Sequence, residues 1–284
     1  MAYLFWIIAL VLFSSLEVVS KPIMSLVNPY MMTFMRFFIG GLFLFIISLF
    51  MKKSKSAKMN KKDFLIVILI GCLNCIISMT LLQLSVKAGN ASSAAVLIST
   101  NPIFTAIFAA IIIKENINQR KKIGITIGLV GILIFGFGMI EFGMVEGDTI
   151  SSIIFGLSSA VTFALYSVLM KKYTGKYGVL KCTAYSSFFP SIIYGVIIFI
   201  SGNFKINTLG TKEWLIIVYL GIFVTGIAYY ALLEAVNRLG ASTGMRLFYV
   251  KPVLATIFAL IFLNEPISFI KLLGMGIIIF SLFL

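Results

Sequence analysis

Six ionisable side chains interrupt otherwise apolar stretches of the sequence: Glu17, Lys21, Arg36, Glu234, Arg246 and Lys251. A charge near the centre of a membrane-spanning helix costs about 2.5 to 3.5 kcal/mol on insertion scales, so each such residue is read first as part of a site. Glu17 and Lys21 stand four residues apart, on one helical face and within reach of each other. Arg36 falls at a similar depth in the next apolar stretch, about five residues or roughly 7.5 Å from its outer end. A cluster of Glu17, Lys21 and Arg36 sets two cations against one carboxylate, and the excess positive charge attracts a carboxylate or phosphate. In the second half, Glu234 and Arg246 can pair across the turn from Asn237 to Gly240. Lys251 lies near the middle of its stretch, roughly 15 Å from either interface, where its stem cannot easily reach water. Lys251 is therefore the leading candidate for contact with an anionic substrate group, with Arg36, Lys21, Asn101 and Tyr230 as further candidate contacts. Glu17, Glu234 and Arg246 are candidates for ion pairing or for binding a coupling proton.

Pro22, Pro102 and Pro252 each remove a backbone donor, so helix breaks are expected at all three. Pro102 and Pro252 stand at equivalent depths, where freed carbonyls face a cavity or the bends simply serve packing. The chain has no histidine, no clustered metal ligands, no paired carboxylates at one depth and no Gly-rich phosphate loop, which argues against an enzyme and against ATP-driven work. No cofactor and no metal are expected. Cys72 and Cys75 sit inside an apolar run and read as small buried residues rather than half of a metal site.

The elements that must position these residues follow from composition. Of 284 residues, 61% are hydrophobic and only 11% charged, far from the roughly one quarter charged of a water-soluble domain. The mean hydropathy is +1.11. Long unbroken apolar runs favour membrane helices over barrel strands, which would alternate with polar residues. Stretches of about 20 residues, the length needed to cross the hydrocarbon, run from Tyr3 to Leu26, Met31 to Met51, Phe64 to Val86, Ala91 to Ile113 and Ile123 to Ile140. Five more run from Ile150 to Met170, Leu180 to Ile200, Trp214 to Val236, Ala241 to Leu263 and Phe269 to Leu284. The net charge of +14 sits in short lysine-rich segments such as 52–62, without aromatic interleaving, which is the mark of cytoplasmic membrane loops rather than of nucleic-acid binding. Counting Lys and Arg in alternate loops puts both termini in the cytoplasm.

A repeat runs through the chain at a fixed offset of 150 residues. Ala91-Ser92 matches Ala241-Ser242, Pro102 matches Pro252, and Glu115, Lys121 and Gly124 match Glu265, Lys271 and Gly274. Each half holds an odd number of spans, so the halves enter the membrane with opposite polarity. The expected fold is all-α and integral to the membrane: ten transmembrane helices as two inverted five-helix repeats, residues 1–142 and 143–284. Inverted repeats are typical of secondary transporters, with the site near the midplane between them. Glu115 and Glu265 follow apolar stretches and are expected to cap the next helix or to pair with Lys121 and Lys271. Gly124 and Gly128 form a Gly-x-x-x-Gly pair that could serve a homodimer.

The frame Ala-Ser, Pro102, Glu115 and Gly124, repeated as Ala241-Ser242, Pro252, Glu265 and Gly274, resembles the EamA family of the drug/metabolite transporter superfamily. So do Trp6, Lys21-Pro22 and Arg36 at the start. The resemblance covers essentially the whole chain. It implies ten helices, a monomer or homodimer, and transport of small metabolites, often as efflux of amino acids or similar compounds, but identifies no substrate. The expected setting is a bacterial cytoplasmic membrane, with a small-molecule substrate and membrane lipid as partners. The rival readings are a facilitative or import carrier of another anionic metabolite, and a membrane binding or sensory protein that does not transport. The orientation is testable directly: Ser56→Cys, in the lysine-rich loop, should stay unlabelled by an impermeant maleimide in intact cells and react after permeabilisation. Strong labelling in intact cells would invert the topology.

Overall fold

The computed structural model describes residues 1–20, 23, 26–50, 59–88, 91–140, 149–204, 209–263 and 269–284. Among the described residues all the long regular elements are helices. The first half comprises α1 (Ala2–Ser14), α2 (Leu16–Ser20), α3 (Pro29–Phe50), α4 (Lys61–Cys72), a π-helical segment (Leu73–Ser78), α5 (Met79–Ala88), α6 (Ala91–Ile98), α7 (Asn101–Ile112) and α8 (Gln119–Ile140). The second comprises α9 (Thr149–Tyr177), α10 (Val179–Ile200), α11 (Thr211–Tyr219), a second π-helical segment (Leu220–Ile227), α12 (Ala228–Leu239), α13 (Ala241–Met245), α14 (Leu247–Leu263) and α15 (Phe269–Ser281). Among the described residues, six helices are long and apolar enough to cross a bilayer: Pro29–Phe50, Lys61–Ala88, Ala94–Ile112, Ile150–Tyr177, Val179–Ile200 and Thr211–Leu239. Their outward faces carry residues such as Leu69, Ile111, Phe199 and Leu215, each more than half exposed. A helical chain with so apolar an outside satisfies its backbone internally, as hydrocarbon demands.

Element boundaries recur at the sequence offset. Pro29–Phe50 and Val179–Ile200 begin and end 150 residues apart. Lys61–Ala88 has its counterpart in Thr211–Leu239, and each contains a π-helical stretch in its middle third. A π turn accommodates an extra residue and changes which side chains face inward. In the second half the widened turn is filled by the Thr225 hydroxyl, which donates to the Leu220 carbonyl at 3.0 Å.

Without a hydrophobic force between helices in lipid, close approach is won at small residues. A Cβ at Gly40 would collide with the Gly221 carbonyl, and one at Gly41 would lie 2.6 Å from the Phe188 amide nitrogen. Helix α3 is thus seated against the second π segment on one side and α10 on the other. Helices α8 and α15 pack together, with Gly131 against Ile278 and Gly274 against Phe135. Gly124 and Gly128, the pair that could serve a homodimer, pack within the chain against the Arg246 guanidinium and the Tyr249 ring.

The prolines act differently from expectation. The first half breaks at Ser99 and Thr100, and Pro102 lies in the opening turn of α7, where its missing N–H costs nothing. In the second half the break comes at Arg246, and Pro252 lies inside the continuous α14. The two breaks are therefore not equivalent, and Pro252 is not itself a break. Pro22 lies outside the described residues; the first helix is interrupted earlier, at Ser15.

Glu115 does not pair with Lys121. Its carboxylate accepts from Lys171 Nζ at 2.8 Å, from the Ala241 amide at 2.9 Å and from the Ser242 amide at 3.2 Å, with the Ser242 hydroxyl adding a fourth bond at 2.5 Å. Gly240, with φ +96°, turns the chain so that the start of α13 faces this carboxylate. An acid from the first half thus caps a helix of the second. Burial raises the Glu115 pKa, but the bonds from Lys171, Ser242 and Ala241 outweigh it and hold the carboxyl below its ordinary value of 4.5. Because the folded pKa is depressed, this stabilisation is present above the ordinary value and is lost as pH falls through the depressed one. Glu265 and the side chains of Ala91 and Ser92 lie outside the described residues. At pH 7, Glu115→Gln should lose roughly 1.5 to 3 kcal/mol, the range for hydrogen bonds to charged groups. In detergent it should melt below the parent at pH 7 and converge with it as pH is lowered. Equal melting at pH 7 would show that the cluster contributes nothing.

Candidate functional site

Arg36 is carried inward by the buried face of α3, shared with Met32, Thr33 and Gly40. It is 1% exposed, and its Nε donates to the Thr225 hydroxyl at 3.2 Å. Since Thr225 in turn donates to the Leu220 carbonyl, the π turn of the second half positions the arginine of the first. The close contact at Gly40 makes this possible by letting the two backbones touch one turn further along α3.

Lys251 enters the same region from α14 and is also 1% exposed. Its backbone carbonyl lies 3.4 Å from the Ser14 hydroxyl of α1, which ties the two helices side by side. Pro252 follows, and because proline lacks an N–H the carbonyl of Phe248 loses its intrahelical donor.

Arg36 and Lys251 line one interior cavity. Phe13, Leu16, Met79, Leu82 and Ile98 line it from the first half, and Phe163, Tyr229 and Phe248 from the second. None of these ten side chains is more than 4% exposed, so the cavity is lined by buried groups. Four of them form a circuit of ring contacts: Phe13 to Tyr229 at 5.2 Å between centroids, Tyr229 to Phe163 at 6.0 Å, Phe163 to Phe248 at 5.3 Å, and Phe248 to Phe13 at 5.6 Å. In so apolar a space charge interactions are strong. Two unit charges at 4 Å attract by about 4 kcal/mol at an effective dielectric constant of 20.

The expected site residues are distributed as follows. Arg36 and Lys251, placed by sequence in separate clusters, come together. The side chain of Glu17, and Lys21 altogether, lie outside the described residues. Asn101 is fully buried with both amide atoms lacking a hydrogen-bond partner among the described residues, yet it does not line the cavity. Tyr230 is turned away from it: its hydroxyl donates to Glu234 at 3.3 Å and its ring meets Phe5. The expected pair of Glu234 with Arg246 does not form. Glu234 bonds Arg238 at 2.6 Å, four residues on along the same helix, while Arg246 donates to the Ser281 carbonyl. The local helical spacing wins over the longer reach across the turn.

Sequence reasoning missed Phe13, Phe163, Phe248 and Thr225, and it singled out Tyr230 rather than the neighbouring Tyr229. A signal existed in the repeat. Phe13 and Phe163, Met79 and Tyr229, and Ile98 and Phe248 are pairs 150 residues apart, and all six line the cavity. Asn74, in the first π segment, is buried beside the Tyr229 hydroxyl without a hydrogen bond of regular geometry to it.

Comparison with known proteins agrees on one class. The EamA-like transporter family matches residues 1–137 and 150–284. An uncharacterized transporter of Clostridium kluyveri is 30% identical over 280 residues, covering 98% of this chain and 90% of its own. The uncharacterized transporter YdfC of Bacillus subtilis is 30% identical over 75% of this chain and 68% of its own, and YetK of the same organism is 22% identical over 99% and 86%. A crystal structure of another protein, 19% identical, shares the fold with a TM-score of 0.76 over 99% of this chain and 95% of its own.

Proposed function

The chain belongs to the EamA-like transporter family and is a multi-pass membrane protein, and from that premise we propose that it is a secondary transporter of small polar metabolites bearing an anionic group. It exports amino acids or related compounds across a bacterial cytoplasmic membrane, with both termini inside. Its ten helices form two inverted five-helix repeats, residues 1–142 and 143–284, a reading supported by element boundaries that recur 150 residues apart. The observation that carries the proposal is that Arg36 of the first half and Lys251 of the second line one buried cavity.

Contacts between the halves lie beyond both ends of the cavity. On the proposed cytoplasmic side Asp63 bonds Lys176 at 2.9 Å and Glu115 bonds Lys171 and the start of α13. On the opposite side the Asn28 amide donates to the Asn203 carbonyl at 2.9 Å, and Phe34 meets Phe204. Alternating access requires one set to part while the other holds.

Reconstitution into liposomes with a panel of labelled amino acids and related metabolites tests the proposal. The parent should catalyse saturable counterflow of an anion-bearing compound, whereas binding without counterflow would favour a sensory protein. Lys251→Met keeps the stem and removes the charge, so it should insert and fold normally but bind such a compound about tenfold or more weakly. Parental transport by that variant would make Lys251 structural and move the site toward Arg36.

A further inference from the structure

We infer that Ser78, Ser85, Ser152 and Ser159 are positioning residues of the transport cycle. They bind one wall of the cavity into a single unit across the two halves, so that access changes by movement at the wall where α1 meets α12. The inference rests on the transporter reading and adds to it which helices move.

Ser78 ends the first π segment and Ser85 follows seven residues later in α5, while Ser152 and Ser159 stand seven apart on α9. Seven residues make about two helical turns, so each pair shares one face of its helix. The bonds across the seam are reciprocal. The Ser78 hydroxyl donates to the Ser159 carbonyl at 3.0 Å, and the Ser159 hydroxyl donates to the Ser78 carbonyl at 2.8 Å. Likewise Ser85 donates to the Ser152 carbonyl at 2.8 Å, and Ser152 returns a bond to the Ser85 carbonyl at 3.0 Å. All four serines are buried. Their bonds fix both the register and the separation of the two helices, and in a membrane interior no water replaces them when the helices part. Cavity residues ride on this seam: Met79 follows Ser78, Leu82 lies one turn further on, and Phe163 lies one turn beyond Ser159.

The sequence repeat supplies the comparison. At the offset of 150 residues the counterparts of the four serines are all alanine: Ala228 and Ala235 on α12, Ala2 and Ala9 on α1. Helices α1 and α12 pack together as α5 and α9 do. Alanine preserves the close approach but has no hydroxyl to direct it. The side-chain contacts described at this second seam are ring contacts, Phe5 to Tyr230 at 5.9 Å and Phe13 to Tyr229 at 5.2 Å, with the Arg238 guanidinium 5.2 Å over the Phe5 ring. Ring contacts keep most of their strength over a range of tilt and offset, whereas hydrogen bonds weaken steeply with misalignment. Phe13 and Tyr229, the repeat counterparts of Phe163 and Met79, line the cavity from this seam. One wall of the site is therefore held by directed bonds and its counterpart is free to slide.

Bridging each seam in turn tests the inference. Cysteine pairs are placed in a full-length chain whose Cys72, Cys75 and Cys182 are replaced by alanine, reconstituted in liposomes and bridged with mercury(II). Counterflow is read with a mixture of tritiated amino acids. Bridging Ser78→Cys to Ser159→Cys, or Ser85→Cys to Ser152→Cys, should leave at least about half of the unbridged rate, because that seam does not part in the cycle. Bridging Ala9→Cys to Ala228→Cys, or Ala2→Cys to Ala235→Cys, should leave less than about a tenth, with recovery on adding dithiothreitol. A variant without cysteines gives an independent reading if those pairs do not fold or bridge. Ala9→Ser with Ala228→Ser supplies the missing hydroxyls and should lower the maximal rate about threefold or more without weakening substrate affinity. Arrest by the serine-seam bridge would overturn the inference, and so would an alanine-seam bridge that leaves transport intact, the result expected if the serines merely hold the fold. An unchanged maximal rate in the Ala9→Ser, Ala228→Ser chain would also overturn it. Each of these results leaves the transporter reading standing, whereas a parent that exchanges none of the mixture would overturn amino-acid transport and this inference together.

Discussion

Keeping a guanidinium and an ammonium in the dry centre of a helical bundle is the constraint on which the rest of this structure depends. Stripping water from each ion costs several kcal/mol, and the surroundings must repay it through oriented bonds. For Arg36 part of that repayment is the Thr225 hydroxyl, and it exists only because a π turn aims Thr225 toward α3 and Gly40 lets the two helices touch. The charge, the widened turn and the glycine contact form one unit. Substituting any of them disturbs the other two.

The same constraint explains why the cavity sits between the halves. A cation from each side converges on a space whose other described lining residues are aromatic and aliphatic. Neither half encloses that space alone. Among the polar contacts between halves, Glu115 and Asp63 place carboxylates at one end, and Asn28 with Asn203 joins neutral groups at the other. Opening at the acidic end means separating Glu115 from four donors at once, which makes that end the more firmly held in this conformation.

Much of the architecture could be read from the chain because lipid imposes simple demands. Apolar runs of spanning length, lysine-rich joints and identities at an offset of 150 pointed to paired helices, and α3 and α10 keep that register to the residue. Arg36 and Lys251 stood out because charges in apolar runs are rare. What could not be read depends on three-dimensional competition. Glu234 chose Arg238 over Arg246 because helical neighbours are preorganised and a cross-turn partner is not. Glu115 found its donors 56 and 126 residues away, beyond any local rule. The aromatic wall was invisible because a phenylalanine in a membrane helix looks the same from the sequence whether it faces lipid, core or cavity. Tyr229 and Tyr230 differ by one position and point to different worlds, a distinction of about 100° of helical rotation that only packing settles.

The central claim is that Arg36 and Lys251 act on one bound anion, and a double-mutant cycle tests it most directly. Binding of the best carboxylate for the parent is measured for Arg36→Gln, Lys251→Gln and the double variant, all reconstituted in the same lipid. Residues sharing one ligand in one cavity should be coupled, with the double loss departing from the sum of single losses by about 1 kcal/mol or more. Losses that add to within about 0.5 kcal/mol, the behaviour of distant independent sites, would contradict a shared anion site between the two halves.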